Sequence, residues 1–155
     1  MANLSLGTKA PYPPLDEAVA NAAKKGIRFV LSAGNDSVDT DNQSPARVQA
    51  EGVYTVSGMK YGDRWLDYSN FGSQAVDYCA PGDNVYSTYK DNTYAYDSGT
   101  SMAAPHVAGV LLLGSFDTDG FVRRDPDGRP DPIMVYKKKR DRSWFLGRLR
   151  GSDNG

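Results

Sequence analysis

The apolar positions of the first 58 residues predict alternating strands and helices. Residues 2–6 form a short segment that can be the end of a buried strand. Residues 27–33 are almost continuously apolar, as expected for a strand buried on both faces, and residues 53–57 predict another strand. Between the first two segments, apolar residues recur at the i, i+3, i+4, i+7, i+8 spacing of one helical face: Leu15, Ala18, Val19, Ala22 and Ala23. Strand, helix and strand in this order predict a parallel βαβ unit with a right-handed crossover.

The pattern changes after residue 58. Three short β-prone segments, residues 75–79, 84–89 and 94–96, alternate with turns rich in Gly, Asp, Asn and Pro. Residues 100–113 are small and apolar and predict a helix, with Pro105 tolerated in its first turn. From residue 114 onward the periodicity is lost. We therefore expect residues 1–114 to form the folded part, and residues 115–155 to form the edge of the domain and a disordered tail.

Composition narrows the class of protein. The chain of 155 residues is 39% hydrophobic and 24% charged, which is typical of a globular domain. A net charge of −1 provides no basic field for nucleic acid, and no apolar run is long enough to cross a bilayer, so we expect neither partner. The single cysteine, Cys79, excludes an internal disulfide and is interpreted as a buried structural thiol. Residues 1–6 lack the basic start and the apolar core of a signal peptide.

One string of residues carries the chemistry: Gly99-Thr100-Ser101-Met102-Ala103-Ala104-Pro105-His106-Val107-Ala108-Gly109. A serine at the beginning of a buried helix lies beside free N–H groups and the positive end of the helix dipole. These groups stabilise the negative charge that develops when a hydroxyl attacks a carbonyl. A serine before a helix is more often an N-cap, and the whole string favours a nucleophile at Ser101 over that interpretation.

This string resembles the serine signature of the subtilisin-like serine proteases (subtilases, peptidase S8). Two further segments are similar to family motifs in the right order, Asn3-Leu4-Ser5-Leu6-Gly7 and Ser32-Ala33-Gly34-Asn35. The resemblance implies that Ser5, Leu6 and Gly7 pair with the backbone of a polypeptide substrate. It also implies that Ser32, Ala33 and Gly34 wall its specificity pocket. Residues 68–72 and 80–82 resemble structural landmarks of the family. The likeness extends from about Asn3 to Leu113.

Asn35 is the candidate oxyanion-hole donor. It follows the predicted strand 27–33, so it belongs at the carboxyl edge of a parallel sheet, where open α/β sheets bind ligands. Its amide can donate to an oxyanion without adding charge. The alternative is an Asn in an ordinary Gly-Asn-Asp turn. The candidate site therefore consists of Ser101 as nucleophile, Asn35 in the oxyanion hole, and the two substrate-binding segments.

A serine nucleophile needs a base and an orienting acid, which precede the serine in this family. The sequence has a single histidine, His106, inside the serine motif. Five residues along a helix correspond to roughly 7.5 Å of rise and about 140° of rotation, so we expect His106 to point away from Ser101 into packing. Asp97-Ser98-Gly99 resembles an aspartic-protease motif, but that class needs a second carboxylate, and we interpret the triplet as the approach to Ser101.

No cofactor or metal site is identifiable. The family is often calcium-stabilised, so calcium is implied by the resemblance only. Asp117-Thr118-Asp119-Gly120 and Asp125-Pro126-Asp127-Gly128 lack the third acidic position and the final Glu of an EF-hand loop, and plain turns are expected. The basic residues 137–142 are interpreted as a solvated tail.

The sequence therefore predicts an α/β protein with a partial subtilisin-like fold, a mostly parallel sheet with flanking helices. The part of the domain that carries the catalytic aspartate and histidine is expected to be absent. The resemblance implies a serine endopeptidase that is secreted, as is common in the family, and inactive as an isolated chain. The alternatives are a truncated, non-catalytic chain that acts through interactions, and a fragment without a separate function.

Overall fold

The computed structural model describes residues 1–72 and 74–137. Its first strand, β1, covers Ala2–Leu4 and is followed by helix α1 over Pro13–Lys24. The remaining elements are strand β2 (Phe29–Ser32), a 3₁₀ turn (Thr40–Asn42), β3 (Val53–Lys60), β4 (Arg64–Trp65), β5 (Tyr78–Pro81), β6 (Val85–Tyr89), β7 (Thr93–Asp97), helix α2 (Thr100–Leu112), β8 (Phe116–Phe121) and β9 (Pro132–Tyr136).

A mostly parallel sheet organises the described residues. Its strand order is β1-β2-β3-β5-β9-β8, with β4 paired to β3. Strands β1, β2, β3, β5 and β9 run parallel to one another, whereas β4 is antiparallel to β3 and β8 is antiparallel to β9. Strands β6 and β7 form a separate hairpin just before α2. The predicted α/β class with a mostly parallel sheet is confirmed.

The two helices cover opposite faces of the sheet. Val30 belongs to the cluster that packs against α2, and its neighbour Leu31 belongs to the cluster that packs against α1. Successive strand residues face opposite sides, so β2 is buried on both faces, as its continuous apolar sequence predicts. Helix α1 ends before Gly26, whose φ of +88° places it in the left-handed region that glycine readily adopts after a helix.

Small side chains bring α2 close to the sheet. Ala103, Ala104 and Ala108 pack against the strands together with Val107 and Leu111. Helix α2 contacts β1, β2, β3, β5 and β9. The element that carries Ser101 is therefore held by most of the sheet.

Four details differ from the sequence-based expectation. Strand β5 begins three residues later than predicted. Strands β8 and β9 lie in the segment 115–155, for which no strand is predicted from the sequence. Asp117-Thr118-Asp119-Gly120 lies within β8 and not in a plain turn, with a register shift after Thr118. Pro105 lies in the second turn of α2 and not in its first.

Part of the C-terminal prediction falls on described residues. Asp125-Pro126-Asp127-Gly128 forms a turn, as predicted, in which the Gly128 N–H donates to the Asp125 carbonyl. Lys137 pairs with Asp117 at 2.7 Å. The other basic residues of the 137–142 cluster and the predicted tail lie outside the described residues.

Candidate active site

The candidate site lies where neighbouring parallel strands end. Strand β1 pairs with β2, and their last paired residues include Leu4 and Leu31. The segment 5–7 leaves β1 at this edge, and residues 33–35 leave β2 beside it. Since α2 packs across both strands, its first turn reaches the same edge. The topology thus brings three segments together that are far apart in the sequence.

Asn35 is hydrogen-bonded to Thr100, the residue that precedes Ser101. Its Oδ1 accepts hydrogen bonds from the backbone N–H of Thr100 at 3.0 Å and from the Thr100 hydroxyl at 3.1 Å. The Thr100 N–H can only donate, so the atom it contacts must be the amide oxygen of Asn35. The Nδ2 group therefore remains as a donor, and it has no hydrogen-bond partner within residues 1–72 and 74–137.

Ser101 is the second residue of α2. Its backbone N–H belongs to the first turn, where no helical carbonyl is available, and it has no partner in the described part of the chain. Thr100, Met102 and Ala103 all donate their N–H groups, to Asn35 or to the Gly99 carbonyl. Two unused donors, the Asn35 amide and the Ser101 N–H, therefore lie at the beginning of the same helix.

Gly99 allows the close approach of Asn35. A Cβ at this position would lie 3.1 Å from Nδ2 of Asn35, and its φ of +147° is one that other residues rarely adopt. The Gly99 N–H donates to the Gly82 carbonyl at 2.7 Å, which fixes the approach to the helix. Asp97, in the Asp97-Ser98-Gly99 triplet, ends β7, and its carboxylate accepts the N–H of Ser98. It thus acts locally in the approach to Ser101.

The two predicted substrate-binding segments differ in exposure. Ser5, Leu6 and Gly7 are exposed, and the Ser5 hydroxyl donates to the Ser101 carbonyl at 2.8 Å. The other segment is largely covered: Ser32 and Ala33 are buried, whereas Gly34 is half-buried and precedes the exposed Asn35. Access from solvent to this second segment is therefore through Gly34 and Asn35.

Asn70 supports the loop that carries Asn35. It is fully buried, and its Nδ2 donates to the Ala33 carbonyl and to the side chain of Gln43. Its Oδ1 accepts the N–H groups of Asp36 and Val38. The sequence patterns indicated no role for Asn70 or Gln43, and they included Thr100 only as a member of the serine motif. For Asn70, the one signal was the similarity of residues 68–72 to a structural landmark of the family.

His106 does not contact Ser101 through a hydrogen bond. Its Nδ1 lies 2.8 Å from the Met102 carbonyl on the same helix, and since a carbonyl can only accept, Nδ1 donates this hydrogen bond. The expectation that the ring points into packing was wrong, because His106 is exposed and lines a pocket of about 380 Å³. Ser101, Met102 and Pro105 line the same pocket, together with residues of the β6–β7 hairpin.

The Cys79 thiol is unreactive. It is fully buried in β5, and burial raises the pKa of its thiol to about 12. A thiol that remains protonated is a poor nucleophile, so the prediction of a structural cysteine is confirmed.

Acidic side chains lie on the face of the sheet that α2 does not cover. Asp131 is buried and accepts a hydrogen bond from Ser57 at 2.5 Å, and burial raises the pKa of its carboxyl group to about 7. Burial also raises the pKa of Asp125, to about 6. Asp125 accepts the N–H groups of Asp127 and Asp131. Within the described ranges, no group of three or more His, Cys, Asp or Glu residues is arranged to hold a metal ion.

The family model of the subtilases (peptidase S8) matches residues 1–115. The chain belongs to the subtilase family. It is 44% identical over 128 residues to the subtilisin-like serine protease Rho m 2.0101 of Rhodotorula mucilaginosa, which covers 78% of this chain and 36% of that protein. It is 48% identical over 113 residues to alkaline serine exoprotease A of Vibrio alginolyticus, covering 73% of this chain and 20% of that protein.

Solved structures agree with this membership. A cold-adapted subtilisin-like serine proteinase matches with a TM-score of 0.80 and 35% identity, covering 89% of the chain and 55% of that structure. This subtilase chain spans only about a third or less of the length of the two curated relatives. Of the helices in the described part of the chain, none has the length and apolarity that a membrane span requires.

Proposed function

We propose that Ser101 is the nucleophile of a serine endopeptidase site, and that Asn35 and the Ser101 N–H hold the oxyanion. One observation carries the proposal. The Thr100 N–H and the Thr100 hydroxyl both donate to Oδ1 of Asn35. The Nδ2 group of Asn35 therefore remains available as a donor, beside the unpaired N–H group at the N-terminus of α2. Donors that are oriented before the reaction stabilise a developing oxyanion without reorganisation.

The substrate of this site is a polypeptide. Residues 5–7 are exposed and continue β1, which is the edge strand of the sheet formed by the described residues, so an extended peptide can add to them through backbone hydrogen bonds. Gly34 and Asn35 border the opposite side of the peptide. The pocket between α2 and the β6–β7 hairpin lies next to Ser101 and accommodates further substrate residues.

The base comes from outside this sequence. The family activates its serine with a histidine that an aspartate orients. The sequence has one histidine, His106, whose Nδ1 is hydrogen-bonded to the Met102 carbonyl of the same helix. We therefore propose that the catalytic aspartate and histidine belong to an N-terminal half of the domain, and that the isolated chain is inactive. Secretion and stabilisation by calcium are expected from family membership alone.

The experiment is covalent labelling with a fluorophosphonate, which reacts with activated serines. The chain is tested alone and with an added polypeptide that carries the aspartate and histidine segments of a relative. We expect no labelling of the chain alone and Ser101-dependent labelling after the addition. Ser101→Ala controls for the site of labelling. Rapid labelling of the chain alone that disappears in His106→Ala would make His106 the base and contradict the proposal.

A non-catalytic role is the second candidate. It is favoured by the observation that the Ser101 hydroxyl contacts no basic side chain through a hydrogen bond in residues 1–72 and 74–137. Such a chain would bind peptides through residues 5–7 without cleaving them. Peptide binding that persists in Ser101→Ala, together with no labelling even after the addition, would support this role over the catalytic one.

A further inference from the structure

Pro105 deprives the Ser101 carbonyl of its helical partner. In a regular α-helix, the N–H of residue 105 donates to the carbonyl of residue 101. Proline has no N–H, and its ring also crowds the carbonyl four residues earlier. Because Pro105 lies inside α2, the carbonyl of Ser101 needs a donor from another element.

Ser5 is that donor. Its Oγ lies 2.8 Å from the Ser101 oxygen, although the two residues are 96 positions apart. The Asn3 amide donates to the same Oγ at 3.0 Å. An Asn Nδ2 group can only donate, so the Ser5 hydroxyl accepts from Asn3 and directs its own proton to Ser101. The result is a directed chain of hydrogen bonds from Asn3 through Ser5 to Ser101.

This chain acts on the residue that carries the nucleophile. The Ser101 carbonyl belongs to the peptide plane that joins Ser101 to Met102, so its orientation is coupled to the position of the Ser101 side chain. The neighbouring plane, which carries the Ser101 N–H, follows Thr100, and Asn35 holds the N–H and hydroxyl of Thr100. The backbone around Ser101 is thus held from both sides by hydrogen bonds to residues distant in sequence.

We infer that Ser5 is a positioning residue for Ser101, that it acts through the backbone carbonyl which Pro105 leaves free, and that Asn3 orients it. The inference rests on the proposed function, because it concerns the nucleophile of that site. It adds a side-chain role for Ser5 to the backbone pairing with substrate that the family resemblance implies. It also explains why the proline inside this helix does not leave the Ser101 carbonyl unpaired.

A double-mutant cycle tests the hydrogen bond without requiring activity. Ser5→Ala in the full chain should lower the folded-to-unfolded equilibrium constant about threefold to tenfold, as expected for one lost hydrogen bond. In the Pro105→Ala background, the new backbone N–H at position 105 can reach the Ser101 carbonyl, so Ser5→Ala should change the constant less than about twofold. Ser87→Ala, at an exposed serine of β6, should have equal effects in both backgrounds. Equal effects of Ser5→Ala in both backgrounds would overturn the inference.

A spectroscopic signature separates positioning from general stability. Ser101-Met102 is the only Ser-Met pair in the sequence, so labelling with [1-¹³C]serine and [¹⁵N]methionine gives one carbonyl resonance. We expect Ser5→Ala to shift this resonance, Ser5→Thr to restore it, and Asn3→Ala to shift it partly. An unchanged resonance in Ser5→Ala would refute the inference.

The labelling reaction supplies the functional readout. In the form of the protein that reacts with a fluorophosphonate, Ser5→Ala should slow labelling of Ser101 roughly fivefold, and Ser5→Thr should restore the rate. Unchanged labelling in Ser5→Ala would show that Ser5 does not position the nucleophile. If no form of the protein reacts, the proposed function fails, while the cycle and the carbonyl resonance still decide whether Ser5 holds Ser101.

Discussion

Asn35 and Thr100 lie 65 positions apart and share two hydrogen bonds, both to the Oδ1 atom of Asn35. Thr100 returns a third interaction to the same loop, since its Oγ1 accepts the N–H of Gly34 at 3.1 Å. The orientation of the Asn35 amide is therefore determined before any substrate binds. Preorganisation of this kind is what an oxyanion-hole donor requires.

Asn35→Asp separates the anchoring role of Asn35 from its donor role. Aspartate keeps the oxygen that accepts from Thr100, but it cannot donate to an oxyanion and adds a negative charge. In the form that labels, we expect the rate of Ser101 labelling to fall about 10²–10³-fold, a magnitude measured for one oxyanion-hole donor in a member of this same family.

Variants of Thr100 provide the matched controls for this experiment. Thr100→Ser retains the hydroxyl and should preserve most of the rate, whereas Thr100→Val removes it and should lower the rate. Undiminished labelling of Asn35→Asp would exclude Asn35 from the oxyanion hole.

Stability should depend on the protonation of Asp131. Burial raises the pKa of this carboxyl group to about 7, whereas an unfolded Asp titrates near 4. The folded state therefore binds the proton more tightly, and the stability that this group contributes is lost as the pH rises from about 4 to about 7. Asp125, with a pKa of about 6, acts in the same direction.

Asp131→Asn should flatten this pH dependence. Asparagine keeps an acceptor for Ser57 and cannot ionise, so the free energy of unfolding should increase by about 1–3 kcal/mol at pH 8 and change little at pH 4. Urea denaturation at intervals between these values measures the effect. Asp119→Asn, at an exposed position in β8, is the control and should leave the slope unchanged. An unaltered slope in Asp131→Asn would mean that another group dominates.

Gly34→Ala should be strongly destabilising. The added Cβ would lie 2.3 Å from Nδ2 of Asn70 and 2.5 Å from Oε1 of Gln43, and the φ of +107° disfavours any side chain. We expect a loss of about 2–5 kcal/mol in the free energy of unfolding, measured with chemical denaturant. Gly109→Ala is the matched control, because its Cβ would meet nothing within 4 Å in α2. That substitution should stabilise the chain by roughly 0.5–1 kcal/mol.

Asn70→Ala tests whether the buried network supports the site. The substitution leaves the Ala33 carbonyl and the N–H groups of Asp36 and Val38 without their partner, which should lower the free energy of unfolding by about 3–5 kcal/mol. At a temperature where the variant is still folded, labelling of Ser101 should also be slower, because residues 36 and 38 flank the loop of Asn35. Asn42→Ala, whose amide makes only a 3.4 Å contact on the surface, should cost less than about 0.5 kcal/mol.

The sequence predicted the parts of the fold that have a period. The continuous apolar run around Val30 and Leu31 predicts a strand covered on both faces, and the amphipathic spacing around Val19 predicts α1. Strand β8 has no such signal, because all six of its residues are exposed and include two Asp and one Gly. It was therefore missed, although β9 pairs with it and joins the sheet.

The site was predictable to the level of segments but not of contacts. The rule for parallel sheets places Asn35 at the carboxyl edge of the sheet, and the resemblance to the subtilase motifs adds residues 5–7, residues 32–34 and Ser101 to the site. The bonds of Asn35 to Thr100 and of Ser5 to Ser101 join residues far apart in the chain, and no local pattern specifies such pairs. The error for His106 has a similar origin, since helical rotation gives its direction relative to Ser101 but not which side of α2 is covered by other elements.

The alanine face of α2 limits how this chain can vary. Ala103 and Ala104 are fully buried between α2 and the strands, so at these positions only a methyl group separates the helix backbone from the sheet. A library of random substitutions would therefore retain little except Gly or Ser at these two positions, whereas Gly109, Leu112 and Leu113 face solvent and should accept most residues. Substitutions in this helix are thus confined to its solvent-facing side. The distance between α2 and the sheet, and with it the position of Ser101, can therefore stay the same while the surrounding surface changes.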